Sequence, residues 1–281
     1  MTLTWRRKAI NAFMLSLTGV CTFVVVGSLL GILGYLAWNG ASSLSVDFFT
    51  KLPAPVGELG GGMANAIVGS AKVLLVAVCM GVPIGFLGGV YLAEFGTGVF
   101  PGVVRYTTDL LNGVPSVVIG IFAYALVVHP FHQFSTLAGG LALGFMMIPI
   151  SLRTTEEFLR AVPVSLREGA MALGAGKAHT ILTVVIPAAK NGLLSGLMLN
   201  LARVAGETAP LLFTALNNQF WSINPNAPMA SLPVAIFQMA MSPYADWHRL
   251  AWSGALLITL TVLLLSVVAR VLEAQTDRGS P

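Results

Sequence analysis

AIVGSAKVLLVAVCMGVPIGFLGGVYL, residues 66–92, holds a single charged side chain, Lys72, in 27 positions. A hydrocarbon layer about 30 Å thick is crossed by roughly 20 helical residues. The run is longer than a crossing requires and far longer than a buried core helix needs. Inside lipid the backbone finds no water, and a helix satisfies every N–H and C=O within its own segment. The run therefore reads as a transmembrane helix, and the same test divides the rest of the chain. Comparable runs occupy Phe13–Trp38, Thr107–Val128, Leu137–Leu152, Gly192–Leu216 and Leu250–Leu272. The expected fold is an all-α integral membrane protein, one transmembrane domain over residues 1–281 with six spans. Gly and Pro recur inside the runs, where neighbouring helices re-satisfy the freed backbone groups. The fourth run is short and carries Pro149.

Composition points the same way. Hydrophobic residues make up 56% of the chain and charged residues 9%, against about 25% charged in a soluble domain. There is too little polar surface to cover a water-soluble body of this length. Cys21 and Cys79 both lie in apolar runs, and no CxxC or HExxH spacing occurs, so neither a disulfide framework nor a metal site is expected. The sequence pI near 9.3 does not point to nucleic acid, because the cytoplasmic loops of membrane proteins gather Lys and Arg. Arg6, Arg7 and Lys8 precede the first run as they would in a signal peptide. That run continues to Trp38 without a clear A-x-A site, so it reads as a helix that stays in the membrane.

Orientation follows from the basic residues. With the N-terminus in the cytoplasm, the cytoplasmic segments hold Arg6, Arg7, Lys8, Arg105, Arg153, Arg160, Arg167, Lys177, Lys190, Arg270 and Arg278. The other side holds Lys51 and Arg249, while Lys72 and Arg203 fall within spans. Eleven against two places both termini inside. The outer connections 41–65 and 217–249 are rich in Gly and Pro, and Trp221 and Trp247 suit the membrane interface.

The longest cytoplasmic connection, 153–191, has internal order. Thr154 precedes Glu157 by three residues, Pro163 follows, and Ser165 precedes Glu168 by three. Both pairs have capping-box spacing. The second would start a short helix, Leu166–Leu173, with Ala170, Met171 and Leu173 as a small apolar face and Gly174 and Gly176 ending it. An apolar patch outside the membrane invites a protein partner.

Glu168-Gly169-Ala170, Gly174, Val184, Ile186 and Pro187 resemble the EAA motif of ABC importer permeases, which runs Glu-Ala-Ala, three residues, Gly, nine residues, Ile, one residue, Leu-Pro. Gly169, Val184 and Ile186 depart from it by small-for-small or apolar-for-apolar changes. Longer stretches are similar to the A-type permease subunits of bacterial phosphate-specific ABC importers, within the binding-protein-dependent transport permeases. They are Gly61–Ser70, Gly89–Glu94, Leu111–Ser116, Arg153–Glu157, Arg203–Leu212 and Trp247–Trp252. The resemblance implies the type I importer permease fold in the bacterial inner membrane. It implies coupling to an ATPase through Glu168, Gly169, Ala170 and Gly174. The partners it implies are a homologous second permease, two nucleotide-binding subunits that bind the ATP, and an external phosphate-binding protein. Phosphate would cross by alternating access.

Arg203 and Glu207 are four residues apart in the fifth run, which places them on one face if the helix is continuous. Ionisable groups at membrane depth usually face a bundle interior or an aqueous path. Two readings stand: a self-neutralising structural pair, or an anion path in which Arg203 meets phosphate and Glu207 tunes its field. The resemblance favours the path, and a planar guanidinium fork suits phosphate oxygens. Lys72 reads first as a residue that snorkels to the interface. Asn112, Gly113 and Pro115 mark a break at the start of the third run. His129, His132, His179 and His248 complete no metal site.

No Walker A sequence occurs, so ATP energy must come from a separate polypeptide. No catalytic residue is expected in this chain: no nucleophile–base pair occurs in the spans, which argues against an intramembrane enzyme. No internal repeat is evident, which argues against a secondary transporter. Another oxyanion, such as molybdate or sulfate, remains open as the cargo.

Overall fold

The computed structural model describes residues 2–55, 58 and 60–277, and Arg278 lies outside them. Among the described residues there is no β-strand, only one isolated antiparallel bridge between Pro53 and Gly61. The long helices are α1 (Thr2–Ala41), α3 (Ala64–Glu94), α7 (Thr136–Ala161), α10 (Ile186–Ala205) and α13 (Ala245–Asp277). Short helices fill the connections: α2 (Val46–Thr50), α4 (Val99–Asn112), α5 (Ser116–Ala123), α6 (His129–Phe131), α8 (Val164–Ala172), α9 (Lys177–Thr180), α11 (Ala209–Leu212) and α12 (Leu232–Ala240). Five helices are long and apolar enough to cross a bilayer, counting Lys177–Ala205 as one. A sixth crossing exists if the pair Val99–Asn112 and Ser116–Phe131, bent by 103°, counts as one.

The third run is therefore not a single helix. Pro115 lacks an N–H and disfavours helical conformation in the residue before it, so α4 stops at Asn112 and α5 starts anew. The fourth run is longer than expected. α7 continues through Pro149 to Ala161, which leaves Thr154 and Glu157 inside a helix rather than at its cap. The fifth run starts earlier, at Lys177, and ends earlier, at Ala205. Two π-helical turns, Tyr124–Val128 and Ile181–Val185, each end two residues before a proline, Pro130 and Pro187. A proline cannot close the bond to the residue four back, so the ladder widens locally.

The centre of the bundle is the seam between α3 and α7. Gly69, Val73, Ala77, Gly81, Gly85 and Gly89 recur every fourth residue on α3, and all are buried. They form one ridge of small side chains. A Cβ added at Gly81 would lie 2.6 Å from Met147 Cβ, and one at Gly85 or Gly89 would lie 2.5 Å from Ser151 or Thr155 Cβ. Without a hydrophobic driving force between helices in lipid, such close approach supplies the packing energy. Around the seam, Leu143, Met147, Val204, Leu211 and Val234 complete a core that joins α3 and α7 to α10, α11 and α12. α1 stands apart and meets the rest mainly through α13.

Candidate coupling helix and translocation path

At one end of the bundle the chain leaves α7 at Ala161, turns at Val162 and Pro163, and forms α8 before re-entering at Lys177. The N-cap of α8 is Pro163, with no side-chain capping bond, and Ser165 lies inside the helix. The expected Ser165–Glu168 capping box is absent, because proline already fixes the backbone angle at the helix start. Glu168 and Gly169 are exposed and Ala170 half-buried, and a Cβ at Gly169 would meet nothing within 4 Å. No residue of α8 is buried, and Val164, Leu166, Met171 and Leu173 are exposed, Leu173 by 91%. Of the expected apolar face, Met171 and Leu173 are exposed and Ala170 is half-buried, and exposed Val164 and Leu166 carry the patch around the helix.

The C-terminus of α8 is closed by a Schellman motif. The Ala175 N–H donates to Ala170 O at 3.2 Å and the Gly174 N–H to Met171 O at 3.0 Å. Gly174 has φ +85°, a left-handed conformation that costs a side-chain-bearing residue about 1–2 kcal/mol. Among the described residues nothing lies within 4 Å of a Cβ placed there. Within the chain, then, the glycine is demanded by backbone geometry alone.

Two ionic assemblies brace this end, and neither was expected from the sequence. Arg167 of α8 donates to Glu94 Oε1 from Nη2 at 2.8 Å and from Nε at 3.2 Å. It also donates to Val162 O and Leu159 O, both at 2.6 Å. Lys177 donates to Glu94 O and sits over the Phe95 ring. Glu156, 1% exposed, receives Arg105 Nε at 2.6 Å and Arg160 at 3.1 Å, while its Oε2 faces Arg153 at 3.5 Å. Arg105 and Arg160 both also donate to Leu92 O at the end of α3. The sequence carried a partial signal: Glu94, Arg105, Arg153 and Glu156 sit within a few residues of run ends, whereas Arg160, Arg167 and Lys177 lie in the connection between runs. Five of the residues counted as cytoplasmic, Arg105, Arg153, Arg160, Arg167 and Lys177, thus gather at one end of the bundle.

The Arg203–Glu207 pair does not form. α10 ends at Ala205, the Gly206 N–H closes back onto Arg203 O, and Glu207 lies in the break before α11. The two are not on one helix face and make no ion pair within 4 Å, and among the described residues neither side chain has a hydrogen-bonding or ionic partner. Arg203 is exposed and Glu207 half-buried. The break lies beside α5, because Gly120 brings α5 so near α11 that a Cβ would lie 2.7 Å from Pro210 Cα. Two interrupted helices, broken at Gly113–Pro115 and at Gly206–Thr208, are thus adjacent. Lys72 donates to Ser222 O at 3.1 Å, which ties the connection between α11 and α12 to α3. The histidines gather no metal-binding cluster among the described residues.

Long apolar helices, two interrupted helices side by side and an exposed, glycine-closed helix at one end make a bundle able to cross a bilayer and to offer a helix to a partner. The chain belongs to the family of binding-protein-dependent transport system inner membrane components, whose family model matches residues 81–279. It is 46% identical over 272 residues to the phosphate transport system permease protein PstA of Yersinia pestis, covering 96% of this chain and 92% of that protein. A Haemophilus influenzae protein of the same name is 46% identical over 94% of each chain. A probable PstA of Methanocaldococcus jannaschii is 32% identical over 92% of each. Among solved structures, the inward-facing MetNI methionine ABC transporter superposes with a TM-score of 0.54 at 16% identity, covering 78% of this chain and 98% of that one. An amino acid ABC transporter with histidines gives 0.52 at 16% identity, covering 76% and 92%. These two likenesses concern the fold, the type I importer permease.

Proposed function

We propose that this chain is a transmembrane subunit of an ATP-driven importer that carries inorganic phosphate across the bacterial inner membrane. The observation that carries the reading is likeness over nearly the whole chain to permeases named for phosphate transport, joined to an exposed, capped α8 bearing the Glu168-to-Gly174 motif. α8 docks on a separate nucleotide-binding subunit, and a second, homologous permease brings a second docking helix to a second such subunit. An external binding protein delivers phosphate. ATP-driven approach of the two ATPases moves the docking helices, opens the pair of permeases outward, and lets phosphate enter between them. Arg203, exposed beside the break in α10, offers two parallel hydrogen bonds to phosphate oxygens, and Glu207 shapes the field around it.

Orientation is tested by single-cysteine labelling from outside, with Cys21 and Cys79 replaced. Positions near Ser42 and Asn226 should react and positions near Ala175 should not. Reaction at Ala175 overturns the assignment of α8 to the cytoplasm.

Docking is tested by co-purification of ATPase subunits with variants of α8. Glu168→Lys reverses an exposed charge at the middle of α8, which leaves the helix standing and changes the face offered to the ATPase. Gly174→Asn keeps a residue that tolerates the left-handed conformation, so the helix end survives while a side chain enters the contact. Both should reduce ATPase association by roughly tenfold, the loss of about 1.4 kcal/mol, with insertion and thermal stability unchanged. Wild-type association and uptake in both variants would remove the docking role.

A further inference from the structure

We infer that Arg167 is a positioning residue that clamps α8 to the ends of α3 and α7, so that force on the docking helix moves the membrane helices instead of bending a hinge. The inference rests on the docking role of α8 and goes beyond it. α8 has no buried residue and packs mainly on α9 and the π-helical turn at Ile181–Val185. Its entry is the short link Val162-Pro163, and its exit is Gly174 in a left-handed conformation. A helix held only by these would swing.

Arg167 is the α8 side chain that turns inward, 16% exposed against the exposed apolar residues around it. Its guanidinium makes four hydrogen bonds at once. Two go to the last carbonyls of α7 and its cap, Leu159 O and Val162 O. Two go to Glu94 Oε1 at the last residue of α3. Both carbonyls lie at the C-terminal end of α7, where Leu159 O otherwise receives only the Val162 N–H at 3.3 Å, and a planar five-donor fork is the side chain that can serve them and a carboxylate together. Glu94 is 7% exposed, so the pair is shielded from solvent and salt. Because α3 and α7 are locked by the glycine seam, a clamp on both their ends is a clamp on the body of the bundle.

Glu94 is also held from the re-entering side, where Lys177 donates to its backbone carbonyl at 2.6 Å. Glu94 thus gathers both arms of the hairpin, Arg167 on its carboxylate and Lys177 on its backbone carbonyl. Lys at position 167 has the charge but one compact ammonium, which cannot span two carbonyls and the carboxylate. Methionine fills the length and has no donor.

The experiment compares Arg167→Met, Glu94→Gln and the exchanged pair Arg167→Glu with Glu94→Arg, each in the complete importer. Three quantities are read: ATPase subunits bound, phosphate moved per ATP hydrolysed, and amide hydrogen exchange of residues 164–172. For Arg167→Met the expected result is retained ATPase binding, at least a tenfold fall in phosphate per ATP, and at least tenfold faster exchange in α8. α7 up to Leu152 should exchange as in wild type, which excludes general unfolding. Glu94→Gln should show the same pattern more weakly, since the backbone acceptors remain. The exchanged pair should recover part of the ratio. An unchanged ratio together with unchanged exchange in α8 for Arg167→Met overturns the inference. So does a variant that loses ATPase binding outright, since Arg167 would then be part of the contact itself. If the wild-type chain binds no ATPase, the docking role of α8 fails instead. The exchange measurement on the chain alone then still decides whether Arg167 holds α8.

Discussion

Glu156→Ala should cost about 3–5 kcal/mol of stability, the usual loss when one partner of a buried ion pair is removed. The residue is 1% exposed and lies between three arginines. Arg153 has other partners in Asp109 and Glu157, but the side chains of Arg105 and Arg160 keep only Leu92 O. Arg105 would be left as a charge in a half-buried site with its short bond to Glu156 gone. The expected readout is a fall in melting temperature on the order of 10 °C in detergent, with low steady-state levels in the membrane. Glu156→Gln keeps the shape and one acceptor and should lose less. Replacing Arg105 by Met in the Glu156→Ala background should return part of the stability, because an uncompensated charge is then removed. If Glu156→Ala melts within a degree or two of wild type, the arginine cluster is an exposed surface network of little energetic weight.

Arg203→Gln should act in the opposite way, on transport and not on folding. The side chain has no hydrogen-bonding or ionic partner among the described residues and is exposed, so its loss removes no polar contact described in the fold. If it meets phosphate, losing hydrogen bonds to a charged group worth about 1.5–3 kcal/mol should cut uptake by roughly 10- to 100-fold. Glu207→Gln should leave stability near wild type for the same reason. The double variant then decides between the two readings of the pair. A structural pair, replaced by two neutral residues, often loses little. Since Arg203 and Glu207 are separated by the end of α10, their effects on stability should simply add, and uptake should stay low in the double variant. Assembly and ATP binding must be wild-type for the comparison to hold. Full uptake by an assembled double variant would falsify the path role.

These residues also show what a sequence makes legible. Run length and hydropathy are properties of single segments, so the membrane class and the long helices could be read directly. The short helix α8 and its glycine stop were legible because their parts lie within a few residues, from Glu168 to Gly174. Spacing alone was less reliable. Thr154 and Glu157 have capping-box spacing, yet any two residues three apart share a helix face, and α7 runs straight through them. Arg203 and Glu207 have helical spacing, but Gly206 lies between them and the helix closes there. The clamp was out of reach because Glu94 and Arg167 are 73 residues apart, and a single sequence carries no record of which distant charges meet. The glycine seam was more accessible. Small residues at every fourth position from Gly69 to Gly89 form a pattern within one segment, although their partner helix could not be named from it.

That seam also has a mechanical consequence. Where two helices touch backbone to backbone there are no long side chains to compress or rotate, so the pair behaves as a beam with little give. Any rearrangement of this protein must be absorbed elsewhere, at joints where the hydrogen-bond ladder is already interrupted. Outside the α3–α7 pair, the described residues offer such joints at the break Gly113–Pro115, the break Gly206–Thr208, and the two widened turns before Pro130 and Pro187. Domain-scale motions take microseconds to milliseconds, and in a stiff frame with soft joints the joints set that clock. Substitutions that stiffen or loosen those four places should therefore tune the speed of the cycle, whereas changes along the beam can only weaken it.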